Sequence, residues 1–208
     1  MTRSPLIGIG GWKTSGKDRL ADFLVEDHGY GKTFMSEPLL EAVLALHPDG
    51  GPWVRLDRDV TAPPLRAVTW NKDEFVRFGE LVEKVGYTAT KEHADARLYL
   101  QGLGTEVGRR MFGEDVWTDI ARRKLEALHA KGHAVITGLR YPNELDMVKS
   151  LGGVTVWVAR PGLDAPNDTH TSETSLSMMD FDILVDNDGT LRDLRREAGL
   201  LHSFLATS

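Results

Sequence analysis

A short apolar run, a glycine-rich turn and a helical pattern follow one another near the start of the chain. Residues 5–9 (Pro-Leu-Ile-Gly-Ile) are typical of a buried parallel strand. The next residues, Gly11-Trp-Lys-Thr-Ser-Gly16-Lys17, match the pattern G-x-x-x-x-G-K. Beyond Lys17, apolar residues recur at helical spacing: Leu20, Ala21, Phe23 and Leu24. Because glycines let backbone N–H groups turn inward and a helix presents its positive end, this unit predicts a nucleotide phosphate-binding loop.

We expect eight consecutive residues of this loop to contact the nucleotide: Gly11, Trp12, Lys13, Thr14, Ser15, Gly16, Lys17 and Asp18. Lys17 is the predicted catalytic cation, because it would reach the outer phosphates. Asp18 stands where the motif usually has a Ser or Thr that ligates Mg²⁺. Its carboxylate either binds the metal ion or one of its waters, or it caps the helix that it opens, and the sequence leaves both interpretations open.

Strands and helices alternate through most of the remaining chain. The sequence predicts further strands at 32–35, 134–137, 154–159 and 181–185, and helices at 39–46, 116–131, 143–151 and after Thr190. This alternation predicts an α/β fold in which helices cover both faces of a parallel sheet.

The middle of the chain departs from this alternation. Residues 47–70 contain Pro and Gly clusters and are interpreted as an irregular surface segment, whereas helical patterns return at 74–85 and 92–111. We expect one domain, with a core at about 1–46 and 116–208 and a helical insertion at about 47–115. The polar residues 161–180 predict a mobile loop.

Composition excludes several classes of function. The chain has no cysteine, which excludes disulfides, thiolate catalysis and Cys-based zinc sites. It has 25 Lys+Arg against 31 Asp+Glu, a net charge of −6 that argues against sequence-independent nucleic-acid binding. No apolar run approaches the roughly 20 residues of a membrane span, and the first residues are not a signal peptide. We therefore expect a soluble, cytoplasmic protein without membrane partners.

Several residues outside the loop are candidates for a ligand clamp. Arg140 follows the strand at 134–137, near the carboxyl end where parallel sheets bind ligands. Arg97 and Gln101 lie four apart on a predicted helix and share one face, where they contact a ligand or solvent. Arg160 ends a strand just before the polar loop. Trp117 is a core residue or a base-stacking residue.

The chain resembles the deoxynucleoside monophosphate kinases of tailed bacteriophages, a branch of the P-loop nucleoside monophosphate kinase fold. The resemblance lies in an ordered set of segments: 15–18 (Ser-Gly-Lys-Asp), 97–109, 113–117, 135–144, 170–173 and 186–191. An Asp directly after the loop lysine is typical of this branch. Residues 47–90 show no clear correspondence.

The resemblance implies a three-layer α/β/α P-loop kinase fold, with a helical insertion that binds the monophosphate and a lid at about 160–180. It implies ATP as phosphate donor, Mg²⁺ as cofactor and a deoxynucleoside monophosphate as acceptor, with a homodimer as the assembly. Implied acceptor contacts are Arg97, Gln101, Glu106, Trp117, Arg140 and Glu173. Implied catalytic residues are Lys17, Arg140 and Arg160; Arg160, Asn187, Gly189 and Thr190 are implied on the ATP side.

One position departs from the family pattern. The family generally reads Asp-x-Arg after the strand at 134–137, whereas this chain reads Gly138-Leu139-Arg140. Any metal-binding duty of that Asp would then fall to Asp18, Glu144 or water. Two other interpretations remain: a P-loop kinase of another small acceptor, such as dephospho-coenzyme A or phosphomevalonate, and a catalytically silent nucleotide-binding module.

Overall fold

A parallel sheet organises the computed structural model, which describes residues 4–47, 49–56, 75–163 and 175–207. The strands, in chain order, are β1 (Leu6–Gly10), β2 (Gly31–Phe34), β3 (Trp53–Arg55), β4 (Phe75–Arg77), β5 (Ala134–Leu139), β6 (Val154–Ala159) and β7 (Ile183–Asp186). Five of them form one sheet in the order β2-β5-β1-β6-β7, and every neighbouring pair is parallel. The predicted parallel sheet is confirmed.

Helices connect these strands. They are α1 (Lys17–His28), α2 (Glu37–Leu46), α3 (Phe78–Val85), α4 (Tyr87–Thr90), α5 (Ala94–Gln101), α6 (Val116–His129), α7 (Pro142–Ser150) and α8 (Leu191–Thr207). A π-helical segment, Gly102–Phe112, continues directly from α5, and a short 3₁₀ turn occupies Met178–Asp180.

The chain divides into two compact units. The core unit comprises Met1–Ser36 and Thr118–Ser208, and the second unit comprises Glu37–Trp117. The helix α2 therefore belongs to the second unit, although the sequence-based boundary lies near residue 47. The expectation of a single domain with an insertion stays a prediction.

The core unit has three layers. On one face of the sheet, Ile7, Ile9, Val135, Val156 and Val158 pack against apolar residues of α1 and α8. On the other face, Leu6, Ala134 and Ile136 pack against α6 and α7. Because successive strand residues point to opposite faces, strands buried on both sides are apolar at nearly every position, as the sequence of β1 is. The α/β/α arrangement is thus confirmed.

The second unit has its own apolar core, and here the sequence prediction needs correction. Phe75–Arg77 form a strand that pairs antiparallel with Trp53–Arg55, so the predicted helix at 74–85 begins only at Phe78. Part of the segment predicted to be irregular is thus a strand. The alternation in Phe75-Val76-Arg77, with Val76 buried, suits a strand, and cross-strand pairing outweighs the helical spacing. Residues 57–74 lie outside the described ranges.

The predicted helix at 92–111 changes its character part-way. The α-helix ends at Gln101, and the following turns are wider, with π-type hydrogen bonding through Phe112. Three glycines, Gly102, Gly104 and Gly108, fall in this segment and weaken its preference for regular α-helix. Over the parts of the chain that the structure describes, no helix combines the length and the apolar character needed to cross a bilayer.

Candidate active site

The candidate active site lies at the carboxyl ends of the sheet strands in the core unit. All strands of a parallel sheet end at the same edge, where α/β proteins bind ligands. Four segments with predicted site residues leave the sheet there: the loop after β1, Arg140 after β5, Arg160 after β6, and Asn187 after β7. The fold therefore brings together candidate residues that are separated by more than a hundred positions in sequence.

The loop after β1 has the backbone of a phosphate-binding nest. Gly11, Thr14 and Gly16 have positive φ values of 145°, 65° and 97°. The Ser15 N–H donates to Trp12 O at 3.1 Å, and the Lys17 ammonium donates to the same carbonyl at 3.3 Å. Because backbone N–H groups in such a turn converge on one point at the start of α1, the loop is shaped to bind an anion.

Asn187, which directly follows β7, holds this loop in place. Its side-chain amide donates to Ser15 O at 2.8 Å, and its backbone N–H donates to Ala159 O at 2.7 Å. A Cβ on Gly16 would lie 2.4 Å from the Asn187 amide nitrogen, so only glycine fits at that position. The family resemblance implies Asn187 on the nucleotide side, which stays a prediction, and the structure adds that Asn187 anchors the loop.

Trp12 lies against an aromatic row that the sequence analysis missed. Its ring meets Trp157 edge-on at 4.9 Å, and Trp157 meets Phe181 at 5.1 Å. Trp157 is paired with Gly10 across β1 and β6, so the row supports the root of the loop. In the sequence, Trp157 is one apolar residue in a buried strand, and no local signal distinguishes it.

Asp18 is the predicted metal ligand. Its carboxylate is 55% exposed and lies 4.0 Å from the Lys17 ammonium, in the first turn of α1. Among the described residues, no group of three or more His, Asp or Glu side chains could hold a metal ion. A site with one accessible carboxylate fits Mg²⁺, which keeps most of its waters and shares phosphate oxygens with a nucleotide.

Arg140 lies in a turn that a buried carboxylate holds. Glu144, only 3% exposed, accepts hydrogen bonds from the backbone N–H of Arg140 at 2.6 Å and of Tyr141 at 3.3 Å. This carboxylate caps the first turn of α7, which follows Arg140 directly. Glu144 is thus committed to the backbone of this turn, a structural role that the sequence analysis did not assign.

Gly138, which replaces the Asp of the family pattern, forms a bulge. The pairing of β1 with β5 shifts register here, from Ile9–Thr137 to Gly10–Leu139, and Gly138 has a φ of 83°. This left-handed conformation favours glycine over an L-residue with a side chain. Glycine therefore suits the backbone conformation at this position of the chain.

Thr190 forms a cap at the start of α8, and Gly189 leaves space for it, because a Cβ on Gly189 would lie 2.7 Å from the Asp193 carboxylate. The Thr190 hydroxyl and N–H both donate to the Asp193 carboxylate, at 2.7 and 2.9 Å. The hydrogen bonds from Thr190 hold the pKa of Asp193 below its ordinary value. Both residues were predicted on the ATP side; the structure places them in a helix cap directly after the anchoring Asn187.

The region predicted as a lid is described only in part. Arg160 is exposed immediately after β6, and its carbonyl accepts from the Leu163 N–H at 3.2 Å. Glu173 and residues 164–174 around it lie outside the described ranges. The roles of Arg160 and Glu173 stay predictions.

The remaining candidates belong to the second unit. Arg97 and Gln101 are half-buried on α5, whereas Glu106 is exposed and pairs with Arg110 at 3.1 Å. The Trp117 indole donates to Gly104 O at 2.8 Å, and its ring lies where a Cβ on Gly108 would stand. Trp117 therefore packs against the π-helical segment, and a substrate contact by any of these four residues stays a prediction.

Comparison with known proteins identifies the family. Residues 57–198 match the family model described as deoxynucleotide monophosphate kinase. The chain belongs to the deoxynucleotide monophosphate kinase family. It is an enzyme of the kinase class that acts on small molecules, and the resemblance noted in its sequence is confirmed.

Relatives and a solved structure agree with this assignment. The chain is 25% identical to the deoxynucleotide monophosphate kinase of Enterobacteria phage T4, over 91% of this chain and 95% of the relative. It is 27% identical to a putative deoxynucleotide monophosphate kinase of Acanthamoeba polyphaga mimivirus, over 90% and 91%. The crystal structure of TT1252 from Thermus thermophilus, 16% identical, aligns with a TM-score of 0.52 over 98% of both chains and supports the fold.

Proposed function

We propose that the protein transfers the γ-phosphate of ATP to a 5′-deoxynucleoside monophosphate, giving ADP and a deoxynucleoside diphosphate. The observation that carries the proposal is the phosphate-binding nest at Gly11–Lys17 in a chain of this family. The relatives named above are kinases of deoxynucleotide monophosphates by their names, which supports the acceptor class.

The residues of the core unit suit a reaction that depends on positioning and charge. The Lys17 ammonium is hydrogen-bonded to Trp12 O, which places its charge at the loop that would bind the phosphates. The acceptor is an anionic phosphate oxygen, so the reaction needs no strong general base. Phosphoryl transfer is then accelerated by alignment of donor and acceptor and by stabilisation of the negatively charged phosphate oxygens. We assign the stabilisation of these oxygens to Lys17, Arg140 and Arg160.

Magnesium would enter this site with the nucleotide. Asp18 is the side chain that we assign to the ion or to one of its waters, since it is accessible beside Lys17. When bound, Mg²⁺ neutralises phosphate charge. The chain's own contribution is to fix the loop through Asn187 and to hold the Arg140 turn through Glu144.

We further propose that the enzyme works as a homodimer in the cytoplasm of a host cell, with no nucleic-acid or membrane partner. The viral origin of the relatives supports the location, and the net charge of −6 supports the absence of a polyanionic partner.

A coupled assay of ADP release tests the activity. Purified protein with Mg²⁺ and ATP is given each deoxynucleoside monophosphate, and we expect turnover with at least one. Lys17→Ala is expected to lower that turnover by at least about a hundredfold. Lys131→Ala, at an exposed lysine after α6, serves as the matched control and is expected to retain wild-type turnover.

The same panel separates the alternatives. Turnover only with dephospho-coenzyme A or phosphomevalonate would replace the proposed acceptor. ATP binding in calorimetry without transfer to any acceptor would indicate a silent binding module. No turnover with any deoxynucleoside monophosphate would contradict the proposal.

A further inference from the structure

Three apolar side chains are exposed together on the π-helical segment of the second unit. Val107, Met111 and Phe112 are 38%, 69% and 71% exposed. A π-helix closes hydrogen bonds between residues five apart, so side chains four and five positions apart lie on the same side of it. Val107, Met111 and Phe112 therefore form one continuous apolar surface, which we call the π patch.

Another side of the same segment packs inside the second unit. The Trp117 indole donates to Gly104 O, and its ring fills the space where a Cβ on the buried Gly108 would stand. The segment is thus held by the side that carries its glycines, while the π patch faces solvent. Neighbouring apolar side chains that stay exposed in this way mark an interaction surface, because their burial against a partner is favourable.

Two opposite charges border the π patch. Glu106 directly precedes Val107, and Arg110 directly precedes Met111. The Glu106 and Arg110 side chains pair with each other at 3.1 Å and are 61% and 79% exposed. An exposed pair of this kind contributes little to the stability of a single chain, so its exchange for pairs with another chain costs little. Both side chains are therefore available to a partner of matching charge.

We propose that the π patch binds the π patch of a second copy of this chain, with the two segments antiparallel about a two-fold axis level with Gly108. Glu106 and Arg110 lie two positions on either side of that level, so each Glu106 faces the Arg110 of the other copy. The two Val107 side chains meet beside the axis, and Met111 and Phe112 extend the contact. The inference rests on the homodimer proposed above and gives it a contact surface.

Charge favours a second copy over other partners. Both copies carry a net charge of −6, so they associate best through a region without net charge. Glu106 and Arg110 cancel at the π patch, and the neighbouring Arg109 guanidinium donates to the Glu114 carbonyl oxygen. A partner with charges of one sign would meet a like charge at Glu106 or at Arg110. An antiparallel copy instead meets an opposite charge at both.

Sedimentation velocity of the full chain over a range of protein concentrations tests the proposal. Met111→Glu is expected to raise the dissociation constant of the dimer at least about tenfold, because it places a charge inside an apolar contact. Met179→Glu is the matched control, at a methionine that is 84% exposed in the core unit, and is expected to leave that constant unchanged. Both positions are exposed, so both variants are expected to keep the circular dichroism spectrum of the wild type.

Charge reversal tests the pairing between copies. Glu106→Arg and Arg110→Glu are each expected to weaken self-association at least about tenfold, since like charges then face each other across the axis. An equimolar mixture of the two variants is expected to recover the wild-type dissociation constant, because each positive segment then faces a negative one. The like charges within each chain remain in the mixture, so recovery reports the contact between chains. No substrate is added, so the predicted acceptor contact of Glu106 does not enter the measurement.

The outcomes separate this inference from the proposed function. A dimer with the same dissociation constant in Met111→Glu would overturn the inference and keep the homodimer, as would a mixture that associates no better than its components. A wild-type chain that stays monomeric would overturn both, and the proposed activity would stand if that monomer phosphorylates a deoxynucleoside monophosphate. A dimer that depends on the π patch but phosphorylates no monophosphate would support this inference and contradict the proposed activity.

Discussion

At the scale of single residues, a few polar side chains hold the candidate site in shape. Asn187 joins the phosphate loop to the end of β7 across 172 positions of sequence. Glu144 makes a shorter-range contact of this kind: its carboxylate accepts from the backbone N–H of Arg140 and holds that turn. These side chains act on backbone groups, whereas Lys17 and Arg140 are the cations that we propose for phosphate binding.

Asn187→Ala is expected to destabilise the protein and weaken ATP binding together. It removes the donor to Ser15 O in a residue that is only 8% exposed, and an unsatisfied buried acceptor costs about 1–3 kcal/mol. Denaturant unfolding and calorimetry measure the two effects. The neighbouring exposed residue provides the control: Asp188→Ala is expected to change the unfolding free energy by less than about 0.5 kcal/mol. Unchanged ATP affinity in Asn187→Ala would contradict the anchoring role.

Arg140→Ala is expected to lower kcat/KM by about a hundredfold or more, with little change in stability. Its backbone N–H, which binds Glu144, remains in the variant, so the variant loses only the side chain beyond Cβ, including the guanidinium. Steady-state kinetics and thermal unfolding check this, with Arg123→Ala on the exposed side of α6 as the control. A loss of stability with normal specific activity would identify a structural arginine.

At the scale of elements, the bulge in β5 shapes the edge of the site. Without it, the alternation of side chains would place Leu139 on the face of α1; with it, Leu139 packs with the core of α6 and α7. A single glycine in a left-handed conformation thus changes the side that the last residues of the strand face.

Gly138→Ala is expected to lower the free energy of unfolding by about 1 kcal/mol. A Cβ there would meet nothing within 4 Å, so the cost comes from the φ of 83° alone. Gly102→Ala is the matched control, because its Cβ also meets nothing within 4 Å but its φ of −60° is helical. Denaturant unfolding is expected to show a loss for the first and none for the second. Equal effects of the two substitutions on the free energy of unfolding would show that the bulge changes its conformation to accept the alanine.

At the scale of the whole molecule, the core unit has a cluster of three histidines and a tyrosine. It lies near the amino-terminal ends of the strands, whereas the candidate site lies at their carboxyl ends. The rings of His28 and His202 stack at 4.1 Å, and the rings of Tyr30 and His133 lie against His202. Burial, with the charges of His28 and His133, holds the pKa of His202 below its ordinary value, and burial raises the pKa of Tyr30. The cluster joins α1 and α8 to the residues that directly precede β2 and β5.

We expect this cluster to make the stability pH-dependent. The unfolded chain binds a proton at His202 near pH 6.5, while the folded protein resists it, so unfolding is favoured as the pH falls below about 6.5. Asp27 lies near His28, but its carboxylate pairs with Arg195. It therefore offers little stabilisation to a protonated histidine in the cluster. Melting temperatures between pH 7.5 and 5 measure the slope.

His202→Gln, which cannot gain the charge, is expected to flatten that slope. His47→Gln in the second unit is the control and is expected to leave it in place. An unchanged slope in His202→Gln would show that other groups control the acid sensitivity.

The sequence by itself determined the local chemistry and the order of elements. The G-x-x-x-x-G-K pattern between an apolar strand and a helix predicts a phosphate loop, and the spacing of apolar residues predicts most strands and helices of the core unit, because both signals arise within a few consecutive residues. These two local signals are sufficient to predict the position of the loop between β1 and α1 and the parallel sheet. The strand at Phe75–Arg77 was missed because its partner lies across a segment without a clear pattern.

Only the tertiary structure decided which distant residues meet. The anchoring of the loop by Asn187, the support of Trp12 by Trp157 and the bulge at Gly138 all depend on strand order and register. A parallel sheet gathers the carboxyl ends of strands far apart in sequence at one edge. No local pattern records which side chains then become neighbours, because register and burial are set by packing of the whole unit.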